Sequence, residues 1–261
     1  MFNFRTSLFL SFVLLLISYN GICQTNKVAD LEKQAVKQYS ALLSQQENNS
    51  DSVEVYSERF SKNFQKNIRN NPATMDYNFK ALKDSNFCSI QTSRDGNFRV
   101  YSWDTWTDGT MHFFKTIFQY RYNGQVFTKI PVSEEGDPGS IGVQVFTVNL
   151  KGKTIYLNVT DAIGSSKDVA QSIRAYSIEN GKLVDTVKVF KTKTKTLNAI
   201  DVEYDFFSVV DRPERPVRLI TYDENKQMIY IPVVNDKSAV TKRRLCYQLK
   251  GDYFEYIGVD K

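Results

Sequence analysis

Between residues 26 and 47 the apolar side chains Val28, Leu31, Ala35, Tyr39 and Leu42 follow one another at steps of three and four. This period places them on one face of a helix. A second stripe, Val53, Tyr56, Phe60, Phe64 and Ile68, follows Asp51 and Ser52, either of which can cap its start, and Asn70-Asn71-Pro72 stops it. Residues 45–50 between the stripes are polar, so the pattern predicts a helical hairpin whose apolar side covers something else. Internal packing is the plain use of that side, and docking of a partner is the alternative. Residues 73–87 then lead through a short helix or turn carrying Met75, Phe79 and Leu82.

After Cys88 the period changes to two, the mark of strands. Strands are expected at 89–93, 98–104, 111–122 and 126–131, with turns at Asp95-Gly96 and Asn123-Gly124. In the second of these, Phe98 and Val100 fall on one face and Arg99, Tyr101 and Trp103 on the other. The layout recurs at 141–150, 155–161, 172–178 and 183–190, with turns at Lys151-Gly152 and Asn180-Gly181. A third copy runs through 217–222, 228–235, 243–249 and 253–259, with turns at Glu224-Asn225 and Lys250-Gly251. The two turns of each copy stand 28, 29 and 26 residues apart, which argues for a repeated unit. Tyr120 and Tyr247 each precede their turn glycine by four residues, whereas Tyr176 precedes its own by five. The copies are therefore degenerate.

The expected fold is mainly β: repeated four-stranded antiparallel meanders after an N-terminal α-helical hairpin. Its segments are a leader at 1–23, the helical part at 24–87 and a β domain at 88–261, with units at about 88–132, 141–190 and 217–259 and an insertion at 191–216. The insertion carries alternating residues from 199 to 210 and three lysines, Lys191, Lys193 and Lys195, on one face of an extended segment. Such a strip usually protects a sheet edge against pairing with other chains. A docking strip for an anionic polymer is the sharper alternative.

The stretch Ser93-Arg94-Asp95-Gly96-Asn97-Phe98-Arg99-Val100-Tyr101-Ser102-Trp103-Asp104 resembles the strand-turn-strand signature of β-propeller blades, in which an Asp-Gly turn precedes a strand ending in Trp-Asp. The resemblance covers residues 88–259 and implies a propeller-like arrangement. Propellers close with four to eight blades, whereas three good copies are present here, so an open or sandwich-like stack is the other arrangement. The chain as a whole resembles uncharacterised exported bacterial proteins with such repeats, and that resemblance implies no activity.

The ends narrow the setting. Arg5 precedes an apolar run at 7–19 that is shorter than a membrane span, as in a secretory signal peptide. Gly21 and Cys23 suit the positions before a cleavage site, which predicts a mature chain of 238 residues in the periplasm or outside the cell. A lipid anchor on Cys23 is the rival reading, and the bulky Ile22 before it argues against that. No other apolar run is long enough to cross a bilayer as a helix. Arg5 is the only charged residue in the leader, so formal charge falls from +5 to +4 on cleavage, too mild to point to nucleic acid. Cys88 and Cys246 are then the only thiols in an oxidising compartment. They are a candidate disulfide, with two separate buried thiols the preferred alternative.

Candidate chemistry is sparse. If the copies stack in parallel, the loops at 104–110, 161–168 and 235–242 emerge on one rim, where binding residues are commonly placed. The richest holds Asp104, Trp106 and Asp108, with the chain's single histidine, His112, just beyond it. Aromatic and carboxylate side chains together suit stacking against a sugar ring while bonding its hydroxyls. The plain reading has Asp104 closing its strand in an Asx turn and His112 packed beside Phe113-Phe114. No Gly-x-Ser-x-Gly elbow, zinc-ligand spacing or cofactor motif is found, so no cofactor or metal is expected. The resulting expectation is a binding module for a glycan or an envelope protein, of undetermined oligomeric state. Two alternatives remain: a carbohydrate-active hydrolase using paired carboxylates, with Asp104, Asp108, Glu134, Glu135 and Asp137 as candidates, and a structural subunit docking through its N-terminal helices.

Overall fold

The fold is known from a computed structural model, which describes residues 4–48, 51–132 and 136–260, with side chains from residue 26 onward. The side chains of the expected leader, Cys23 among them, and residues Glu134 and Glu135 lie outside the described residues. Among the described residues no helix is long and apolar enough to cross a membrane.

Helix α1 (Phe4–Glu47) buries all five residues of its stripe, and α2 (Val53–Asn70) buries Phe60, Phe64 and Ile68 while Val53 and Tyr56 pack at the margin. Ser52 stands at the start of α2 without a side-chain cap bond, and its hydroxyl donates to Gln45 Oε1 at 2.8 Å, tying the two helices together. A 3₁₀ turn (Pro72–Met75) and the short α3 (Lys80–Asp84) complete the helical part. The first free N–H groups of α3 are satisfied from α1: Glu32 Oε1 accepts from the backbone of Ala81 (2.7 Å) and Leu82 (3.2 Å). A carboxylate there suits both the orphan donors and the local dipole.

Three sheets follow. The first has β1 (Ser89–Thr92), β2 (Phe98–Asp104), β3 (Phe114–Tyr122) and β4 (Gln125–Lys129) in that order. In the second, β5 (Ile141–Leu150), β6 (Lys153–Ile163), β7 (Asp168–Glu179) and β8 (Lys182–Val184) pair in succession, and β11 (Ala199–Asp205) joins the other part of β7. The third runs β12 (Thr221–Asp223), β13 (Met228–Val234), β14 (Val240–Lys250), β15 (Tyr253–Asp260), and is extended by β9 (Phe190–Lys191) and β10 (Thr196–Leu197). Pairing is antiparallel throughout except between β15 and β9. The Asn-Gly turns at 123–124 and 180–181 hold both central residues at positive φ, the mirror-image turn that matches strand twist.

Two expected strands are corrected. Residues 183–190 are not one strand, because the chain leaves β7 after Val184 and Phe190 crosses to the third sheet. Strand β12 begins at Thr221 rather than 217, because the backbone N–H groups of Leu219 and Ile220 are taken by the Gln171 side chain at 3.1 and 2.6 Å. The insertion is not a separate unit: β11 widens the second sheet and β9 and β10 the third. Lys191 pairs with Glu255 at 2.7 Å and Lys193 lies over the Tyr256 ring, so two of the three lysines are engaged by the third sheet.

The layers stack as helices, first sheet, second sheet, third sheet. Trp103, Tyr101, Ile90 and Ile117 meet α1 and α2; Phe98, Val100 and Phe118 meet Tyr156, Tyr176 and Leu183 of the second sheet. Leu157, Val159 and Ile173 then meet Ile229, Ile231 and Phe254 of the third. No closed barrel or propeller is found. Cys88 and Cys246 are both buried and free, so the candidate disulfide is absent and each behaves as a small hydrophobe.

Candidate functional site

The loop after β2 is organised by Asp104. Its Oδ1 accepts from the backbone N–H of Trp106 at 2.9 Å, the Asx turn expected of it. Trp106 sits at φ +54°, a conformation bulky residues seldom adopt. It is held there from α1: Trp106 Nε1 donates to the Tyr39 hydroxyl at 3.0 Å, and that hydroxyl donates to the Asp104 carbonyl at 2.9 Å. Burial pushes the Tyr39 hydroxyl above its ordinary range. Asp104 Oδ2 is bonded to His112 Nδ1, and the imidazole stacks on Phe114 and meets Trp106 edge-on, with centroids 5.5 Å apart.

Of the four expected site residues, Asp104, Trp106 and His112 therefore come together, and Tyr39 joins them. Asp108 does not: it is exposed, its carboxylate accepting from the N–H of Gly109 at 2.7 Å. Trp106 packs against the helical core, so its ring is committed inward rather than offered as a stacking platform. The hydroxyls of Thr105 and Thr107 in this loop bond to each other at 2.8 Å.

The three loops expected on one rim are joined by backbone hydrogen bonds. His112 N donates to Ile163 O at 3.0 Å, Phe206 N to Lys167 O at 2.7 Å, and Asp205 N to Ser238 O at 2.7 Å. At the opposite end Arg94 pairs with Glu224 at 3.0 Å and Lys151 with Asp252 at 2.7 Å. The backbone bonds link the neighbourhoods of the three loops, the last two through residues 205 and 206.

Two cavities flank β5, whose Gly142 lines both: one lies between the first and second sheets, and the other lies beside β1 on the opposite face of the second sheet, the face that Leu157 and Val159 turn to the third. Gly142 is the pinch between them. Its N–H is bound by Ser102 Oγ at 2.8 Å, its carbonyl accepts from Ser89 Oγ, and a Cβ there would stand 3.2 Å from a Val100 methyl.

The larger cavity, about 780 Å³, is a polar cleft. Phe98, Val100 and Phe118 seal one end of the inter-sheet space, but β6 and β7 turn Asn158, Thr160, Ser172 and Arg174 toward the rest of it. Lys115, Lys129 and Arg174 on its walls balance Asp137, Asp185 and Asp201. Lys129 donates to Asp185 Oδ2 at 2.8 Å and holds that carboxyl below the usual carboxylate range. Asn158 is 2 % exposed, and its Oδ1 is a buried side-chain acceptor without a partner among the described residues. An orphan of this kind costs about 1–3 kcal/mol.

The second cavity, about 650 Å³, has largely apolar walls with Asp161 among them. Gln171, fully buried, donates Nε2 to Asp161 Oδ1 at 2.7 Å and to the Val217 carbonyl at 3.0 Å. Burial raises the Asp161 carboxyl to about 6 against the lowering effect of Gln171. Asn158 does not stand out in the sequence as a site and Asp161 only as the first residue of the loop at 161–168; segments distant in sequence make their surroundings cavities. Among the described residues no group of three or more His, Cys, Asp or Glu could hold a metal ion.

No family model, curated protein or solved structure matches the chain.

Proposed function

We propose that the chain is an exported module that binds a glycan in the cleft between its first and second sheets. The observation that carries this reading is Asn158, which lines a cleft of about 780 Å³ and whose buried Oδ1 has no hydrogen-bond partner among the described residues. Sugar hydroxyls supply the missing donor. The charged groups that the described residues bring to the cleft balance three against three, so it favours a neutral, hydroxyl-rich ligand over an ion. Export rests on Arg5 and the apolar run at 7–19, which fit a secretory signal peptide and a periplasmic or secreted product. We read the three meanders as propeller-like units in an open row, a reading supported by the shared ends of their loops.

Within the cleft, Asp185 is shifted away from the general-acid role that paired-carboxylate hydrolysis requires. A general acid needs a raised carboxyl, and Lys129 pulls this one down. The test is a glycan array with purified protein, followed by titration of any hit against Asn158→Leu. The reading expects a hit that weakens at least about tenfold in the variant. Silence across the array, or a hit indifferent to Asn158, overturns it in favour of an envelope protein as the ligand.

A further inference from the structure

The cavity beside β1 and β5 differs from the cleft in kind. Its walls are Ile141, Val143, Ile163, Val169, Phe206 and Val217, and Asp161 is the one carboxylate among its lining residues. Gln171 occupies Oδ1, while Oδ2 carries no hydrogen bond to a described residue, in a side chain only 9 % exposed. A carboxylate oxygen left in apolar surroundings is costly unless a charged donor meets it. Three cations also line this cavity, at Lys83, Arg215 and Arg218. Arg215 is spent on its own loop, donating to the carbonyls of Val210, Arg212 and Glu214 and lying over Phe206. Lys83 donates to Asn78 Oδ1. Arg218 is exposed and makes no ion pair among the described residues.

We propose that this cavity binds a small zwitterion with an apolar body, such as a short apolar peptide, its ammonium group on Asp161 and its carboxylate at Arg218. A volume of about 650 Å³ is in the range of ordinary small-ligand sites. One negative group within and, of the three cations on the lining, the one without a hydrogen bond among the described residues match the two ends of such a molecule, and the aliphatic walls match what lies between. This site is independent of the glycan reading, since the two cavities share only Gly142.

Calorimetric titration with dileucine, N-acetyl-dileucine and dileucine amide decides it. Acetylation, which removes the ammonium, is expected to weaken binding at least about tenfold, and amidation about threefold. Affinity for dileucine should fall as pH drops through about 6, where Asp161 takes up its proton. The other groups facing this cavity are Tyr204 and Cys88, both pushed up by burial, the two arginines, and Lys83, which burial and then Arg99 hold down. Lys83→Met should therefore leave the pH profile in place. Asp161→Asn should abolish the preference for the free ammonium, and Arg218→Ala that for the free carboxylate. Equal binding of the free and acetylated peptides, tighter binding at pH 5 than at 7.5, or no heat from dileucine at millimolar concentration overturns the proposal. If Asp161→Asn fails to fold, the acetylated peptide and Arg218→Ala still decide it.

Discussion

The two faces of β2 meet two different solutions to packing. Toward the helices, Trp103 packs edge-on against Phe60 and Phe64 and donates Nε1 to Ser61 Oγ at 3.0 Å. Tyr101 bonds to Gln119 Oε1, Gln119 to Thr74, and the buried Arg99 spends its guanidinium on the carbonyls of Thr74 and Tyr77. Toward the second sheet, Phe98 and Val100 join an aromatic cluster at one end, and beyond it the gap opens into a polar cleft with an unpartnered acceptor. One face is closed in every respect, whereas the other gives up packing where it could accommodate a ligand. Stability concentrated on the helical side is what allows the inter-sheet side to be imperfect.

The largest expected effect follows from breaking the closed face. Trp103→Ala removes a side chain that is 1 % exposed and strands Ser61, which should cost about 3–5 kcal/mol in denaturant unfolding. Deleting residues 26–71 exposes the same surface wholesale and should leave the β part unfolded or aggregated. If that fragment instead gives a cooperative transition, the helical layer is an accessory and the contrast between the faces loses its basis.

Much of that closed face was legible beforehand. The two helical stripes, the alternation of Phe98 and Val100 against Arg99, Tyr101 and Trp103, and the turns at Gly96, Gly124, Gly152, Gly181 and Gly251 are local patterns, and local patterns survive in sequence. The crossing of Phe190 to the third sheet and the capture of Leu219 and Ile220 by Gln171 were not legible, because each is decided by a distant partner. The Asp104 loop was found by its composition, yet composition could not show that Trp106 turns inward onto Tyr39. Asn158 and Asp161 escaped because each cavity is closed by segments distant in sequence from β6. His112 and Asp104 are bonded to each other in that loop.

A second prediction concerns the apolar cavity, on the other face of the second sheet. The Asp161 carboxyl is raised from 3.8 to about 6, so the folded chain binds this proton more tightly than the unfolded one. Folding is therefore favoured below pH 4 relative to neutral pH, and that advantage is lost as pH rises from about 4 to 6. Asp161→Asn, which keeps an acceptor for Gln171, removes the charge. At pH 7 it should stabilise the protein by about 2–3 kcal/mol, and at pH 3.5 the two proteins should melt alike. A variant equally or less stable than wild type at pH 7 would mean that Asp161 is solvated through the cavity mouth.

The smallest effect discriminates best between the two faces of β2. Asn158→Leu has nearly the same shape and leaves no acceptor without a donor, so it should raise stability by about 1 kcal/mol. A comparable change on the helical side, Gln119→Leu, severs satisfied bonds to Tyr101 and Thr74 and should lower stability by a similar amount. Opposite signs from two amide-to-leucine changes on either side of one sheet, measured as shifts in the urea midpoint at constant slope, are what a closed face and a ligand-facing one require. Were Asn158→Leu destabilising as well, its carbonyl would have a donor in the free protein, and the cleft would be an ordinary hydrated gap between two sheets.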